Sequence, residues 1–130
     1  MNATAAAPVV LIAEDDEDIR DLISWKLEVA GFRTLHAGNG KTAVELAAEH
    51  RPDAAVLDIN MPAMDGLEVC QNLRRDEGTA NIPVLMLSAR VNDSDIESGY
   101  GAGADDYMTK PFNPQELLRR LEGLLSDSAV

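Results

Sequence analysis

Asp58 closes an apolar run, Ala54-Ala55-Val56-Leu57, and is followed by Ile59-Asn60-Met61-Pro62-Ala63-Met64-Asp65-Gly66. A buried strand that ends in a carboxylate and then breaks at proline and glycine delivers that carboxylate to the edge of a sheet. A second apolar run, Val9-Val10-Leu11-Ile12-Ala13, ends in Glu14-Asp15-Asp16. As neighbours in one parallel sheet, the two runs would crowd at least three carboxylates into one crevice. Like charges at that spacing are costly unless a cation or a proton intervenes. The cluster therefore calls for a divalent metal, a lysine, or both.

The elements that must position these acids alternate along the chain. Short apolar runs are each followed by a segment with helical periodicity. After the first strand, residues 9–13, comes a stripe of Ile19, Leu22, Ile23, Leu27 and Ala30 that stops at Gly31, with Trp25 at its flank. Phe32 to His36 reads as a second strand, and Asn39 caps a helix from Lys41 to His50. The strand ending at Asp58 leads to a helix from Gly66 to Arg75, with Asp65-Gly66 read as turn chemistry. Pro83 to Leu87 then runs to Ser88, and a polar helix spans Asn92 to Tyr100. The last strand, Asp105 to Thr109, ends at Lys110-Pro111-Phe112. Asn113, Pro114 and Glu116 form a near capping box for a helix that buries Leu117, Leu118, Leu121, Leu124 and Leu125. Five uninterrupted βα units predict an α/β fold, a parallel sheet with helices on both faces.

In such sheets function gathers at the carboxyl ends of the strands. Those ends carry Glu14-Asp15-Asp16, Asp58, Ser88 and Lys110. Hard oxygen donors suit Mg²⁺. Lys110 can neutralise the acids or grip an anion, and Ser88 offers a hydroxyl. A metal, an ammonium and a hydroxyl around a carboxylate suit a phosphoryl group, with Asp58 as the nucleophile.

Bulk properties narrow the field. The chain has 130 residues, 45% of them hydrophobic, enough for one folded domain. Its formal net charge of -12, from 23 acidic and 11 basic residues, argues against nucleic-acid binding by this chain. No run reaches transmembrane length, so no membrane association is expected. The single cysteine, Cys70, fits a reducing, cytoplasmic compartment and reads as a small apolar helix residue. Met1 to Pro8 reads as a frayed leader and not as a signal peptide.

Four motifs in order carry a resemblance. These are Leu11 to Asp16, Leu57 to Gly66, Leu87-Ser88-Ala89-Arg90, and Gly103 to Phe112. Together they resemble a response regulator receiver domain over residues 9–126, with 1–8 as leader and 127–130 as tail. The resemblance implies the flavodoxin-like, doubly wound (βα)5 sheet of order 2-1-3-4-5. It implies that a histidine kinase or phosphotransfer protein phosphorylates Asp58. Asp15 and Asp58 would bind Mg²⁺ through side chains, Asn60 through its carbonyl, and Glu14 mostly through a metal-bound water. Lys110 would bind phosphate, with a cis Lys110–Pro111 peptide. Ser88 would move toward the phosphoryl group and vacate space into which Tyr107 rotates, changing the face of helix four, strand five and helix five. Such a chain is a switch that assists its own phosphorylation and dephosphorylation, not an enzyme acting on other substrates.

The blander readings weaken when the set is taken whole. Glu14 to Asp18 alone would pass for a solvated helix start, and Tyr107 for an edge-strand aromatic. His36 and His50 lack a second ligand at metal spacing. Gly38-Asn39-Gly40-Lys41-Thr42 lacks the first glycine of a phosphate-binding loop, because Leu35 stands there. A phosphatase using an aspartyl-phosphate usually needs an acid two residues after the nucleophile, where Asn60 stands. A non-phosphorylated docking module is the other alternative, yet every position of the site is filled. The motifs near the end also resemble receivers of winged-helix transcription factors, which dimerise through charges on the helix-four face. Asp106 and Arg120 fit one such pair. No Lys or Arg lies between Arg90 and Lys110, and Ile96 stands where that class has a basic residue, so Glu116 lacks a partner cation there. The expectation is a monomer or a weak phospho-dependent dimer, acting on an effector protein or on an effector domain beyond this chain.

Overall fold

The computed structural model describes residues 7–89 and 93–128. Strands and helices alternate as β1 (Val9–Ala13), α1 (Glu17–Val29), β2 (Arg33–Ala37), α2 (Gly40–His50) and β3 (Ala54–Asp58). There follow α3 (Gly66–Arg75), β4 (Val84–Ser88), α4 (Asp93–Gly101), β5 (Asp106–Thr109) and α5 (Pro114–Ser128). The five strands form one parallel sheet in the order β2-β1-β3-β4-β5. The βα alternation predicts the parallel sheet, and the order is the flavodoxin-like one that the resemblance implies.

Alternation along the strands divides the core in two. Leu11, Ala13, Ala55, Leu57, Val84 and Met86 face one layer, where Ala43 and Ala47 of α2 and Val69, Cys70 and Leu73 of α3 pack. Val10, Ile12, Ala54, Val56, Leu85 and Leu87 face the other, against Ile23 and Leu27 of α1 and Leu117, Leu118 and Leu121 of α5. Both faces are covered, so the central strands β3 and β4 are buried along their whole length.

Side-chain caps set where the helices start, just beyond the strand ends. Asp16 Oδ1 accepts from the Asp18 and Ile19 amides, Asn39 Oδ1 from Thr42, Asp65 Oδ1 from Glu68, and Asn113 Oδ1 from Gln115 and Glu116.

Several boundaries differ from the sequence reading. β2 is one residue later, because Phe32 sits in the turn that follows the α1 cap, its amide donating to Leu27. The α1 stripe is narrower than expected: Ile23 and Leu27 are buried, whereas Leu22 is 43% exposed and Trp25 61% exposed. A helix resting on a sheet buries only its inner third, and both residues lie outside it. Leu124 and Leu125 are half-buried, as α5 extends past the sheet, and α5 itself runs through Ser128. Arg90 of the third motif, Asn92 at the expected start of helix four, most of the expected leader and residues 129–130 lie outside the described residues.

Gly40, the first residue of α2, marks the closest approach between this framework and the loop after β3. A Cβ there would collide with the Met64 carbonyl oxygen and stand 2.7 Å from the Met64 Cβ. Gly40→Ala should therefore destabilise the fold by about 1–3 kcal/mol. Urea unfolding should show it as a lower midpoint with an unchanged slope.

Candidate functional site

Three strand ends bring the predicted acids and their counter-charge together. Glu14 follows β1, Asp58 ends β3, and Lys110 follows β5. Lys110 Nζ lies 2.7 Å from Glu14 Oε1 and 3.1 Å from Asp58 Oδ2. Glu14 and Asp58 are both buried, at 0% and 1% exposure, so neither charge is relieved by water. The Lys110 amide donates to the Ser88 carbonyl at 2.8 Å, which fixes where the lysine leaves the sheet, and the Lys110–Pro111 peptide is cis.

The remaining carboxylate oxygens are held from the backbone. Asp58 Oδ1 accepts from the Asn60 amide at 3.1 Å, and Glu14 Oε2 from the Asp16 amide at 3.1 Å. Burial pushes the Glu14 carboxyl up to about 7; the Lys110 hydrogen bond and the Asp16 amide oppose that rise, and Asp58 adds to it. Burial alone would pull the Lys110 ammonium down, but its bonds to Glu14 and Asp58 outweigh this and raise it. The lysine therefore stays charged at any physiological pH.

Asp15 completes the acidic set. It is exposed, and its carboxylate lies with those of Glu14 and Asp58 so that one oxygen of each falls within 4.8 Å of the others. The donors fit a hard divalent cation. Three carboxylates converge, Glu14 Oε1 is buried with no hydrogen bond beyond its ion pair with Lys110, and the exposed Asp15 leaves the mouth open to retained waters. Asn60 stands beside them, its amide already committed to Asp58.

The loop after β3 contributes a residue that spacing read only as a turn. A Cβ on Gly66 would stand 2.5 Å from the Asp58 carbonyl oxygen, so only glycine lets α3 start this close to β3. Its amide donates to Ile59 at 3.0 Å. Ala63 in the same loop has φ of 70°, a conformation costing a non-glycine residue about 1 kcal/mol. Sequence could flag the glycine but not what it touches.

Ser88, fully buried, lies one register position beyond Asp58 and lines a cavity of about 450 Å³ with Asn60, Met61, Asp95 and Ser98. This cavity links the acidic crevice to α4. Tyr107 lies on the far side of β4, with its ring already buried at 7% exposure. The ring rests on Gly99 of α4, where a Cβ would come within 2.8 Å of Cδ2, and meets Tyr100 at a centroid distance of 6.5 Å.

Beside it, Arg120 Nη1 is 3.0 Å from Asp106 Oδ1 and donates to the Tyr107 carbonyl at 3.3 Å, while Asp106 Oδ1 also accepts from the Tyr107 amide at 2.8 Å. Arg120 Nε and Arg119 both bind Glu116. The pair that the resemblance placed in a dimer contact also meets within one chain, Arg120 on α5 reaching Asp106 on β5. The histidines join no acidic cluster: His36 Nε2 bonds Ser24 and Thr34 on the α1–β2 surface, and His50 is exposed beside Glu49.

A family model for the response regulator receiver domain matches residues 10–122. The chain is 48% identical over 118 residues to the DNA-binding dual master transcriptional regulator RpaA of Synechocystis sp., covering 91% of this chain and 49% of that protein. It is 40% identical over 116 residues to the phosphate regulon transcriptional regulatory protein PhoB of Pseudomonas aeruginosa, covering 89% and 51%. The chain thus spans about half the length of these curated relatives. Among solved structures, the chemotaxis protein CheY4 of Vibrio cholerae superposes with a TM-score of 0.87 at 33% identity, covering 92% of this chain and 99% of that one. The receiver domain of the sensor histidine kinase PA1611 from Pseudomonas aeruginosa, described with a magnesium ion coordinated in its cleft, gives 0.86 at 30% identity, with coverage of 93% and 99%.

The raised Glu14 carboxyl has a signed consequence for stability. Its folded value lies above its ordinary value of 4.5, so its contribution is fully present below 4.5 and is lost as pH rises through about 7. Metal-free wild type should therefore gain stability from this group as pH falls from about 8 to 5, by roughly 1–3 kcal/mol relative to Glu14→Gln. Urea unfolding of both proteins across that range reads the difference in slope.

Proposed function

The chain belongs to the response regulator receiver domain family, and from that premise we propose that it is a phospho-accepting switch with Asp58 as the acceptor. The observation that carries this reading is the Lys110 ammonium in contact with both Glu14 and Asp58 inside a buried crevice. A phosphoryl group brought there would meet a cation held in place before it arrives.

In the reaction, an Asp58 carboxylate oxygen attacks the phosphorus of a phosphohistidine on a sensor kinase or phosphotransfer protein. The O–P bond forms as the P–N bond breaks, and the electron pair leaves with the imidazole nitrogen, which regains a proton. The Asn60 amide steadies one Asp58 oxygen, leaving the other, on the Lys110 side, as the attacking atom. Lys110 follows the charge onto the phosphoryl oxygens, and the Ser88 hydroxyl supplies a further donor. Mg²⁺, held by Glu14, Asp15, Asp58 and Asn60, supplies charge neutralisation on the transferring group when bound. This chemistry ends on the protein itself, with no external substrate turned over.

The output is a change on the face made by α4, β5 and α5. Ser88 and the α4 residues Asp95 and Ser98 line one cavity, so a movement of Ser88 toward a phosphoryl group alters the support of α4. Tyr107, buried against Gly99, reports that change by the balance between its inward position and an outward one. α4 holds no basic residue, and Arg120 is engaged within its own chain, which favours a monomer or a weak phospho-dependent dimer. The relatives are transcriptional regulators, so the partner downstream is an effector domain or protein that itself contacts DNA. With a charge of -12, this chain would be repelled by phosphates. No described helix is long and apolar enough to cross a membrane.

Acetyl phosphate with Mg²⁺, followed by intact-mass measurement, tests the reading. The expected result is a single adduct of one phosphoryl group, about 80 Da, on wild type and none on Asp58→Ala. No adduct on wild type, or one that persists in Asp58→Ala, would overturn it.

A further inference from the structure

We propose that Arg20, on the second turn of α1, is a positioning residue for the metal-binding acids: it fixes the peptide that carries Asp15. The inference rests on the reading of the crevice as a Mg²⁺-dependent acceptor site.

Two cations touch the acidic loop. Lys110 binds carboxylates, whereas Arg20 binds backbone: its Nη1 donates to the Glu14 carbonyl at 2.9 Å. That carbonyl belongs to the peptide between Glu14 and Asp15, and a peptide is planar. Fixing its oxygen fixes the plane, and with it the direction in which Asp15 leaves the strand. The neighbours on either side are already tied. The Glu14 amide donates to Ala37 at 3.0 Å, and Asp16 is held as the α1 cap, its amide on Glu14 Oε2 and its carbonyl accepting from the Arg20 amide at 2.9 Å. Asp15 is the one exposed acid of the three, with no such tie of its own among the bonds described, so its placement depends on the peptide before it.

The surroundings of the guanidinium support a role beyond packing. Gly38, after β2, leaves it room: a Cβ there would stand 3.3 Å from Nη1. Arg20 Nε is buried without a hydrogen-bond partner, an arrangement that costs about 1–3 kcal/mol. Groups that orient ligands in this way typically affect metal affinity strongly.

Isothermal titration of Mg²⁺ into wild type, Arg20→Gln and Arg20→Lys tests this, with folding checked by circular dichroism. Arg20→Gln should weaken Mg²⁺ binding about tenfold or more, and Arg20→Lys, which keeps a donor for the carbonyl, should lose clearly less. The Mg²⁺ concentration for half-maximal acetyl phosphate labelling should shift likewise while the plateau rate holds within about twofold. A merely structural role would lower the melting temperature and leave both Mg²⁺ readouts in place. A folded Arg20→Gln that binds Mg²⁺ within about twofold of wild type overturns the inference. If Arg20→Gln does not fold, Arg20→Met, which keeps the apolar stem and removes every donor, takes its place; weakened Mg²⁺ binding then supports the inference and unchanged binding overturns it. A wild type that binds no Mg²⁺ at all overturns the site reading and Arg20's role with it.

Discussion

One ammonium in a buried crevice makes the site possible. Glu14 and Asp58 are almost wholly withdrawn from water, and two such carboxylates side by side are tolerable only with a counter-charge between them. Lys110 supplies it, within 3.1 Å of both. The compensation is incomplete, as the raised Glu14 carboxyl shows. A crevice with residual negative charge and one cation already in place is prepared to take a second cation and then an anion. Neutral packing would have been more stable but chemically inert.

The fold serves this arrangement by bringing separated pieces of chain to one edge. Glu14 and Lys110 lie far apart in sequence, and their strands are not neighbours, since β3 and β4 stand between β1 and β5. Parallel strands make the meeting possible because all five end on the same side. The α1 cap finishes the work by turning the chain away at once: Asp16 directly follows Asp15 and is spent on capping the helix. Acids that look interchangeable in the sequence are thus divided between binding and capping by a spacing of one or two residues.

Much of this was legible in the sequence, for definite reasons. Strand ends are marked by a change from apolar to charged residues, so Glu14, Asp58 and Lys110 could be placed on one edge once the βα alternation was seen. The stripe on α1 was less legible. Periodicity gives the apolar face but not how much of it the sheet covers, and Leu22 and Trp25 fall outside. Gly66 was read only as a turn and Arg20 was passed over because what each approaches is a carbonyl oxygen, and backbone atoms leave no mark in residue type. Asp106 and Arg120 were picked out as a pair through a resemblance to a dimer contact, and the pair also forms within the chain. Charge complementarity tells which groups attract, while the reach of Arg120 from α5 to β5 is visible only in the fold.

That last pair has a meaning for the molecule's surroundings. β5 is a terminal strand, and a terminal strand offers unpaired amides and carbonyls to any passing chain. At Tyr107 both groups are taken: the amide by the Asp106 carboxylate and the carbonyl by the Arg120 guanidinium, two side chains that also bind each other. A charged pair thus sits beside the terminal strand, and charged side chains at a sheet edge disfavour pairing with another chain. The surface that carries Tyr107 can remain open to a partner's side chains without becoming a template for aggregation.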